Sequence, residues 1–262
     1  MNIVVCVKAV PDMESDFKIG SDRRNIENSH IVFKMNSFDE YAVEAALQLK
    51  EKFSGEVLIV SIGGEETKQV MRKAFAMGAD RGILVNDSHC NDSDAIVVSK
   101  LLKAALLDFP YDLILTGVQA EDDTQSQVGP LLASALNIPH VTVVTHLETT
   151  DGKALQVKRE LEGGAFEVVK LKAPALLTIQ TGINNPRYPS LPGIMKAKKK
   201  EIKELTLSSL NLSPQNVGAR GSLVERVSLE EPKVQSQAEI LQGSAKEIAR
   251  ELLSKLKERK VF

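Results

Sequence analysis

The stretch of this chain best furnished for chemistry is Gly117-Val118-Gln119-Ala120-Glu121-Asp122-Asp123-Thr124-Gln125-Ser126-Gln127. It follows an apolar run, precedes a helical pattern, and is long for a strand-to-helix loop. A helix start exposes N–H groups that no carbonyl of its own turn accepts, and aligned peptide dipoles place partial positive charge there. An anion, most naturally a nucleotide phosphate, suits such a place. A plainer reading is equally open, in which Asp122, Asp123 or Thr124 caps the helix and nothing binds. The two compete, because a carboxylate repels a phosphate. A phosphate site needs the acids turned away and backbone N–H groups, Ser126 or Gln127 turned toward the anion.

Other chemistry is poorly supported. No P-loop and no G-x-G-x-x-G follows an apolar run, and Gly63-Gly64 reads as a tight turn. His89-Cys90 lacks a third ligand nearby, so no metal is expected. No Ser, His and acid set marks a nucleophile elbow, and no catalytic residue is assigned. The second notable segment runs from Asn184 through Pro186, Arg187, Tyr188, Pro189, Leu191 and Pro192 to the basic run Lys196-Ala197-Lys198-Lys199-Lys200. Its prolines stiffen a loop and lower the entropy cost of presenting Tyr188 and Leu191 to a partner protein. The lysines suit either a solvated face or steering toward an acidic partner.

The elements that must position these residues alternate. Ile3 to Val7, Glu56 to Ile62, Gly82 to Val85 and Asp112 to Gly117 are short apolar runs of buried-strand type. Between them lie helical stripes: Ala42, Ala45, Ala46, Leu49 and Phe53 behind Asn36 or Ser37 as cap; Val70, Ala74 and Met77 ending at Gly78; Val97, Leu101, Ala104 and Ala105 behind Asp92 or Ser93. A further helix carries Leu131, Leu132 and Leu136. Such alternation predicts right-handed crossovers and an α/β fold, a parallel doubly wound nucleotide-binding sheet. Residues 141–144, 155–158 and 166–171 alternate with period two around Asp151-Gly152 and Gly163-Gly164, predicting an added antiparallel hairpin region. Past Thr181 the pattern lapses. The expected division is therefore 1–181, the nucleotide-binding domain, and 182–262, an extended arm ending in an amphipathic helix over about 238–257.

Composition agrees with an ordinary globular protein. With 33 Lys+Arg against 35 Asp+Glu the formal net charge is −2, and 43% of the 262 residues are hydrophobic. No nucleic-acid partner is expected from so balanced a charge. Two cysteines and an amino terminus without a secretory pattern predict a cytoplasmic setting and no direct membrane insertion.

These residues together resemble the beta subunit of electron-transferring flavoprotein. The resemblance runs along nearly the whole chain: Val5-Cys6-Val7-Lys8, Met35 to Glu40, Ala76 to Gly82, Gly117 to Gln127, Arg159-Glu160 and Arg187 to Lys200. It implies a heterodimer whose alpha subunit holds most of the FAD, while this subunit carries AMP. By position the AMP site comprises Cys6, Asn36, Ser37, Phe38, Asp39, Ile62, Gly117, Gln119, Asp122, Asp123, Thr124, Gln125, Ser126, Gln127 and Val128. Met13 lies in the segment that approaches the flavin, and Glu167 matches an acid that contacts the mobile flavin domain. Tyr188, Leu191, Pro192, Ile194 and Met195 match the dehydrogenase recognition loop, Leu191 being the anchor. The resemblance implies an electron carrier that accepts electrons from acyl-CoA dehydrogenase-type flavoproteins of fatty acid beta-oxidation and passes them to a quinone-linked reductase. A branch of the family binds a second FAD in place of AMP and bifurcates electrons from NADH. Asp122-Asp123-Thr124-Gln125 departs from that branch's Asp-Gly-Asp-Thr, while Gln127-Val128-Gly129-Pro130 is shared with it.

Overall fold

The computed structural model describes residues 1–27, 30–232 and 238–261. In chain order the first half carries β1 (Asn2–Cys6), β2 (Ala9–Pro11), β3 (Phe33–Met35), α1 (Ser37–Phe53), β4 (Glu56–Ile62), α2 (Glu65–Met77), β5 (Arg81–Val85), α3 (Ala95–Ala105), β6 (Leu113–Gly117) and α4 (Val128–Leu136). The second half carries β7 (His140–Thr149), β8 (Ala154–Glu160), β9 (Phe166–Lys172), β10 (Ala175–Ile179), α5 (Leu191–Ala197), β11 (Ile202–Leu205), α6 (Gly218–Gly221) and α7 (Ala245–Glu258).

Nine strands form one sheet in the order β11-β5-β4-β1-β6-β10-β7-β8-β9. All neighbours from β11 to β7 are parallel, and β7-β8-β9 is antiparallel. The alternation of strands and helices thus does what it predicts. The continuous apolar runs are needed because both faces are covered. Ile3, Val5, Val57 and Ile59 join α1 and α2 in one core, while Val4, Leu58, Val60 and Ile114 join α3 and α4 in the other. The chain lays β1, β4 and β5 outward on one side and then crosses to β6 on the other. The strand order therefore reverses between β1 and β6, and a crevice opens at their carboxyl ends.

Several local expectations shift. Asp94, not Asp92 or Ser93, caps α3, its carboxylate accepting the Val97 N–H at 2.9 Å. Gly78 ends α2 at φ 139°, its N–H shared by the Ala74 and Phe75 carbonyls. β10, which the period-two reading does not reach, is inserted between β6 and β7. Leu176, Leu177 and Ile179 are fully buried there, so a short apolar run carries no alternation to read. β2 and β3 pair as a separate antiparallel ribbon.

The region past Thr181 is not all arm. β11 extends the sheet beside β5, Ala197, Leu207 and Val217 are buried, and the chain divides into Met1–Val227 and Ser228–Phe262. Residues 233–237 of the expected arm lie outside the described residues. In the second unit α7 starts at Ala245 behind a reciprocal Ser244–Glu247 capping box, later than the apolar pattern suggests. Among the described residues no helix is long and apolar enough to cross a membrane.

Candidate functional site at the sheet switch point

The first turn of α1 holds both lips of the crevice. Asp39 is buried, and its Oδ2 accepts the Lys8 N–H at 2.7 Å while Oδ1 accepts the Gly117 N–H at 3.0 Å. Asn36 stands at the N-cap position but makes no side-chain cap. Its Nδ2 donates to the Gln119 carbonyl at 2.8 Å and its Oδ1 accepts the Glu121 N–H at 3.1 Å, fixing the start of the 117–127 loop. Gly117 is required by this approach, since a Cβ there would lie 2.4 Å from Asp39 Oδ1 and 2.7 Å from Phe38 Cβ. Cys6 ends β1 beside Asp39. Burial first, then the Asp39 charge, pushes its thiol up to about 12, so it stays protonated. Ile62 ends β4, and the neighbouring Ser61 hydroxyl donates to the Val7 carbonyl at 2.7 Å.

The acids of the loop do not cap α4. Asp122 and Asp123 both meet the Lys8 ammonium, at 2.7 and 2.9 Å. Burial works against that ammonium, yet the two carboxylates outweigh it and hold its pKa above the ordinary lysine value. Thr124 and Ser126 take left-handed backbone, φ 52° and 55°, and Ser126 Oγ donates to Gln119 Oε1 at 3.2 Å. Gln127 precedes α4 without a side-chain cap, and Gln125 and Gln127 are exposed. At the start of α4 the Val128 and Gly129 N–H groups face no capping side chain, Pro130 has none, and the Leu131 N–H is accepted by the Gln127 carbonyl at 3.1 Å. Gly129 lets this helix start press on the sheet, a Cβ there lying 2.5 Å from Thr178 Cγ2. The arrangement can neutralise an anion through backbone donors while Lys8 draws the loop acids aside. These features fit a nucleotide phosphate.

The second expected surface is separate from the crevice. Tyr188 is 97% and Leu191 79% exposed, and Pro192, Ile194 and Met195 are exposed too. Leu191 to Met195 are presented by α5, which Ser190 caps by accepting the Gly193 N–H at 3.2 Å, and Tyr188 by the loop before it. Behind them the loop is tied to α1. Arg187 Nε and Nη2 donate to the buried Glu44 at 2.7 and 2.9 Å, Nη1 to Glu51 at 2.5 Å, and Asn184 Nδ2 to the Tyr41 carbonyl at 3.0 Å. The lysine run falls at the carboxyl end of α5, where cations suit the dipole. Met13 is exposed beyond β2, and Glu167 is exposed on β9 with Arg159 Nη1 at 3.7 Å.

The family model described as "Electron transfer flavoprotein domain" matches residues 25–210. "Electron transfer flavoprotein subunit beta" of Bacillus subtilis is 40% identical over 258 residues, 98% of each chain. The protein of the same name from Methylophilus methylotrophus is 37% identical, again over 98% of each chain. "Probable electron transfer flavoprotein subunit beta" of Saccharomyces cerevisiae is 34% identical over all of this chain and 98% of its own.

The chain belongs to the electron transfer flavoprotein family. A role in electron transfer by a flavoprotein follows. In this electron transfer flavoprotein chain the structure brings Cys6, Asn36, Asp39, Gly117, Gln119, Asp122 and Asp123 together at one switch point, and Tyr188 to Met195 onto one exposed loop. It also exposes roles that spacing did not reveal: Lys8 as the partner of Asp122 and Asp123, and Glu44 as the anchor of Arg187. Glu44 had one local signal, an acid inside the apolar run Ala42-Val43-Glu44-Ala45-Ala46.

Proposed function

We propose that this chain is the nucleotide-bearing beta subunit of a heterodimeric electron-transferring flavoprotein. It binds AMP in the 117–128 loop, pairs with an alpha subunit that holds most of the FAD, and docks an acyl-CoA dehydrogenase-type donor through α5. The complex passes electrons on to a quinone-linked reductase, and this chain acts as a carrier subunit, not an enzyme. The flavin supplies the redox chemistry. The chain's own residues bind, orient and recognise. The observation that carries the reading is the uncapped start of α4 at the β1/β6 switch point, with the loop acids drawn onto Lys8. In the AMP site Asn36 sets the loop's start, Asp39 joins the lips, and Ser126, Gln127 and Val128 line the anion position. Ser37, Phe38, Ile62, Thr124 and Gln125 complete the surround, Met13 approaches the flavin, and Glu167 meets the flavin domain.

Denaturing the purified heterodimer and separating the released nucleotides tests this. One FAD and one AMP per heterodimer is the expected result. Two FAD and no AMP would replace it with the bifurcating reading, in which the same loop holds a second flavin.

The docking surface has its own test. An exposed aliphatic anchor that becomes buried at an interface centre contributes about 1–2 kcal/mol to association. Leu191→Ala should therefore slow electron transfer from the dehydrogenase about tenfold at subsaturating carrier while leaving the melting temperature unchanged. A lower melting temperature with unchanged transfer would show Leu191 to be part of the fold alone.

A further inference from the structure

Asp39 bridges the two lips of the crevice. Its side chain is withdrawn from water, at 5% exposure for the residue, and each oxygen accepts one backbone N–H, from Lys8 just past β1 and from Gly117 at the end of β6. Both oxygens are thus engaged within the protein, and the residue is better suited to hold the site than to touch its ligand. From Gly117 the loop runs on to the start of α4, and Lys8 reaches the same loop from the other side through Asp122 and Asp123. Beyond the last paired residues of β1 and β6, Val5 and Leu115, one carboxylate therefore bridges the two segments between which a nucleotide would lie.

We infer that ionised Asp39 is a positioning residue for the nucleotide, and that its protonation loosens the β1/β6 lips so that the chain retains a nucleoside monophosphate more tightly above neutral pH than below it. This rests on the reading that a nucleotide occupies the 117–128 loop. The chemistry is that of the acceptor. A carboxylate offers lone pairs on both oxygens, whereas the neutral acid carries an O–H on one, and that oxygen then turns a donor toward an N–H. Lys8 and Gly117 cannot both be satisfied as before. Gly117 gives the site no slack, because it is already packed against Asp39 and Phe38.

The groups around Asp39 leave it as the one that changes near neutrality. Cys6 on β1 remains a thiol, Lys8 remains an ammonium facing Asp122 and Asp123 of the loop, and Glu40 on α1 pairs with Lys73 of α2. Burial raises the Asp39 carboxyl to about 7, against the opposing pull of the Lys8, Asn36 and Gly117 hydrogen bonds and the Lys8 charge. The sign for global stability is opposite to that for the ligand. A carboxyl whose folded-state pKa is raised contributes stability that is fully present below its unfolded value of 3.8 and is lost as pH rises through about 7. The Asp39 contribution to the melting temperature should fall between pH 6 and 8 while nucleotide retention rises. A residue serving only the fold would move both together.

The test is calorimetric titration of AMP into the nucleotide-stripped heterodimer from pH 6 to 8, for wild type and Asp39→Asn. If only the ionised state is competent, wild type should bind about tenfold more tightly at pH 8 than at pH 6. That slope is taken beyond the phosphate's own titration, which phosphorus NMR follows. Asp39→Asn should bind more weakly at pH 8 and lose the slope. A variant with the wild-type affinity and slope, or a wild type with none, would overturn the inference and leave the AMP site standing. If neither protein binds AMP at any pH while both melt cooperatively, the nucleotide reading itself fails, and this inference with it. Should Asp39→Asn not fold, the wild-type slope set against its melting temperature decides: opposite signs support the role, and like signs overturn it.

Discussion

Gly117→Ala should destabilise the protein by about 2 kcal/mol, in the range that overpacking a filled site costs, and should release the nucleotide proposed to lie in the 117–128 loop. The added methyl would lie 2.4 Å from Asp39 Oδ1, 2.7 Å from Phe38 Cβ and 3.1 Å from the Phe38 carbonyl carbon. None of these can swing aside cheaply. Asp39 is held by the Lys8 N–H at 2.7 Å as well as by Gly117 itself, and the Phe38 atoms belong to or adjoin the backbone of α1. Relief has to come from moving the end of β6 away from α1, which stretches the 3.0 Å bond from the Gly117 N–H and displaces the loop that begins there. Stability and binding should fall together. Urea unfolding with an unchanged slope and an earlier midpoint, alongside a nucleotide count after gel filtration, measures both. Full nucleotide occupancy with wild-type stability would mean that the crevice tolerates a wider opening than its contacts imply.

Glu44→Ala should cost about 2 kcal/mol, less than breaking a fully buried ion pair costs, because Glu44 is buried while the Arg187 side chain keeps 35% of its surface exposed. Glu44 is 3% exposed and carries much of the attachment of the α5 loop. It accepts Arg187 Nε and Nη2 at 2.7 and 2.9 Å, the Arg187 backbone N–H at 3.2 Å and Gln48 Nε2 at 3.0 Å. Removing it strands a guanidinium whose remaining acid, Glu51, is on the surface and worth much less. Arg187 itself stays charged throughout, because the hydrogen bonds it donates to Glu44 first and Glu51 second raise its pKa further above the ordinary arginine range, so the loss should not depend on pH between 6 and 9. The double variant Glu44→Leu with Arg187→Met should recover most of the loss, since an apolar pair of similar volume avoids both desolvation costs. Hydrogen exchange over residues 184–197 should rise in Glu44→Ala, because the loop then loses its buried anchor and keeps the Asn184 bond to Tyr41, the exposed Arg187–Glu51 pair and the Arg72 bond to the Ala197 carbonyl. A cost below about 1 kcal/mol would place the pair with ordinary surface ion pairs.

The two surfaces share α1. Asn36 and Asp39 at its start hold the 117–127 loop, while Tyr41, Glu44 and Glu51 along its length hold the segment that leads into α5. This accounts for an otherwise odd feature of its sequence, a helix of apolar stripe with two buried acids, Asp39 and Glu44, each matched to a partner supplied from elsewhere.

By itself the sequence determined what is encoded within a few residues. Continuous apolar runs specify β1, β4, β5 and β6 as strands covered on both faces, stripes at helical spacing specify α1 to α4, and Gly78 marks the end of α2. The strand-helix alternation then restricts the chain to a parallel sheet with a crevice at the strands' carboxyl ends where its order reverses. The family motifs add membership of the electron transfer flavoprotein family. Tertiary structure decided which side chains meet. Asn36 has the residue type of a helix cap, yet its amide is engaged by Gln119 and Glu121, more than 80 residues away. Asp122 and Asp123 have the types of caps for α4, yet they lie on Lys8, whose bond to Asp122 spans 114 positions. Glu44 and Arg187 are separated by 143. Ala175–Ile179 enters the middle of the sheet, and Ile202–Leu205 closes its edge, because those strands fill places that only the assembled neighbours create. Periodicity and capping act through neighbours on one element, so they leave a record in local spacing. Pairing across the switch point depends on which strand ends the fold brings side by side, and no spacing along the chain carries that information.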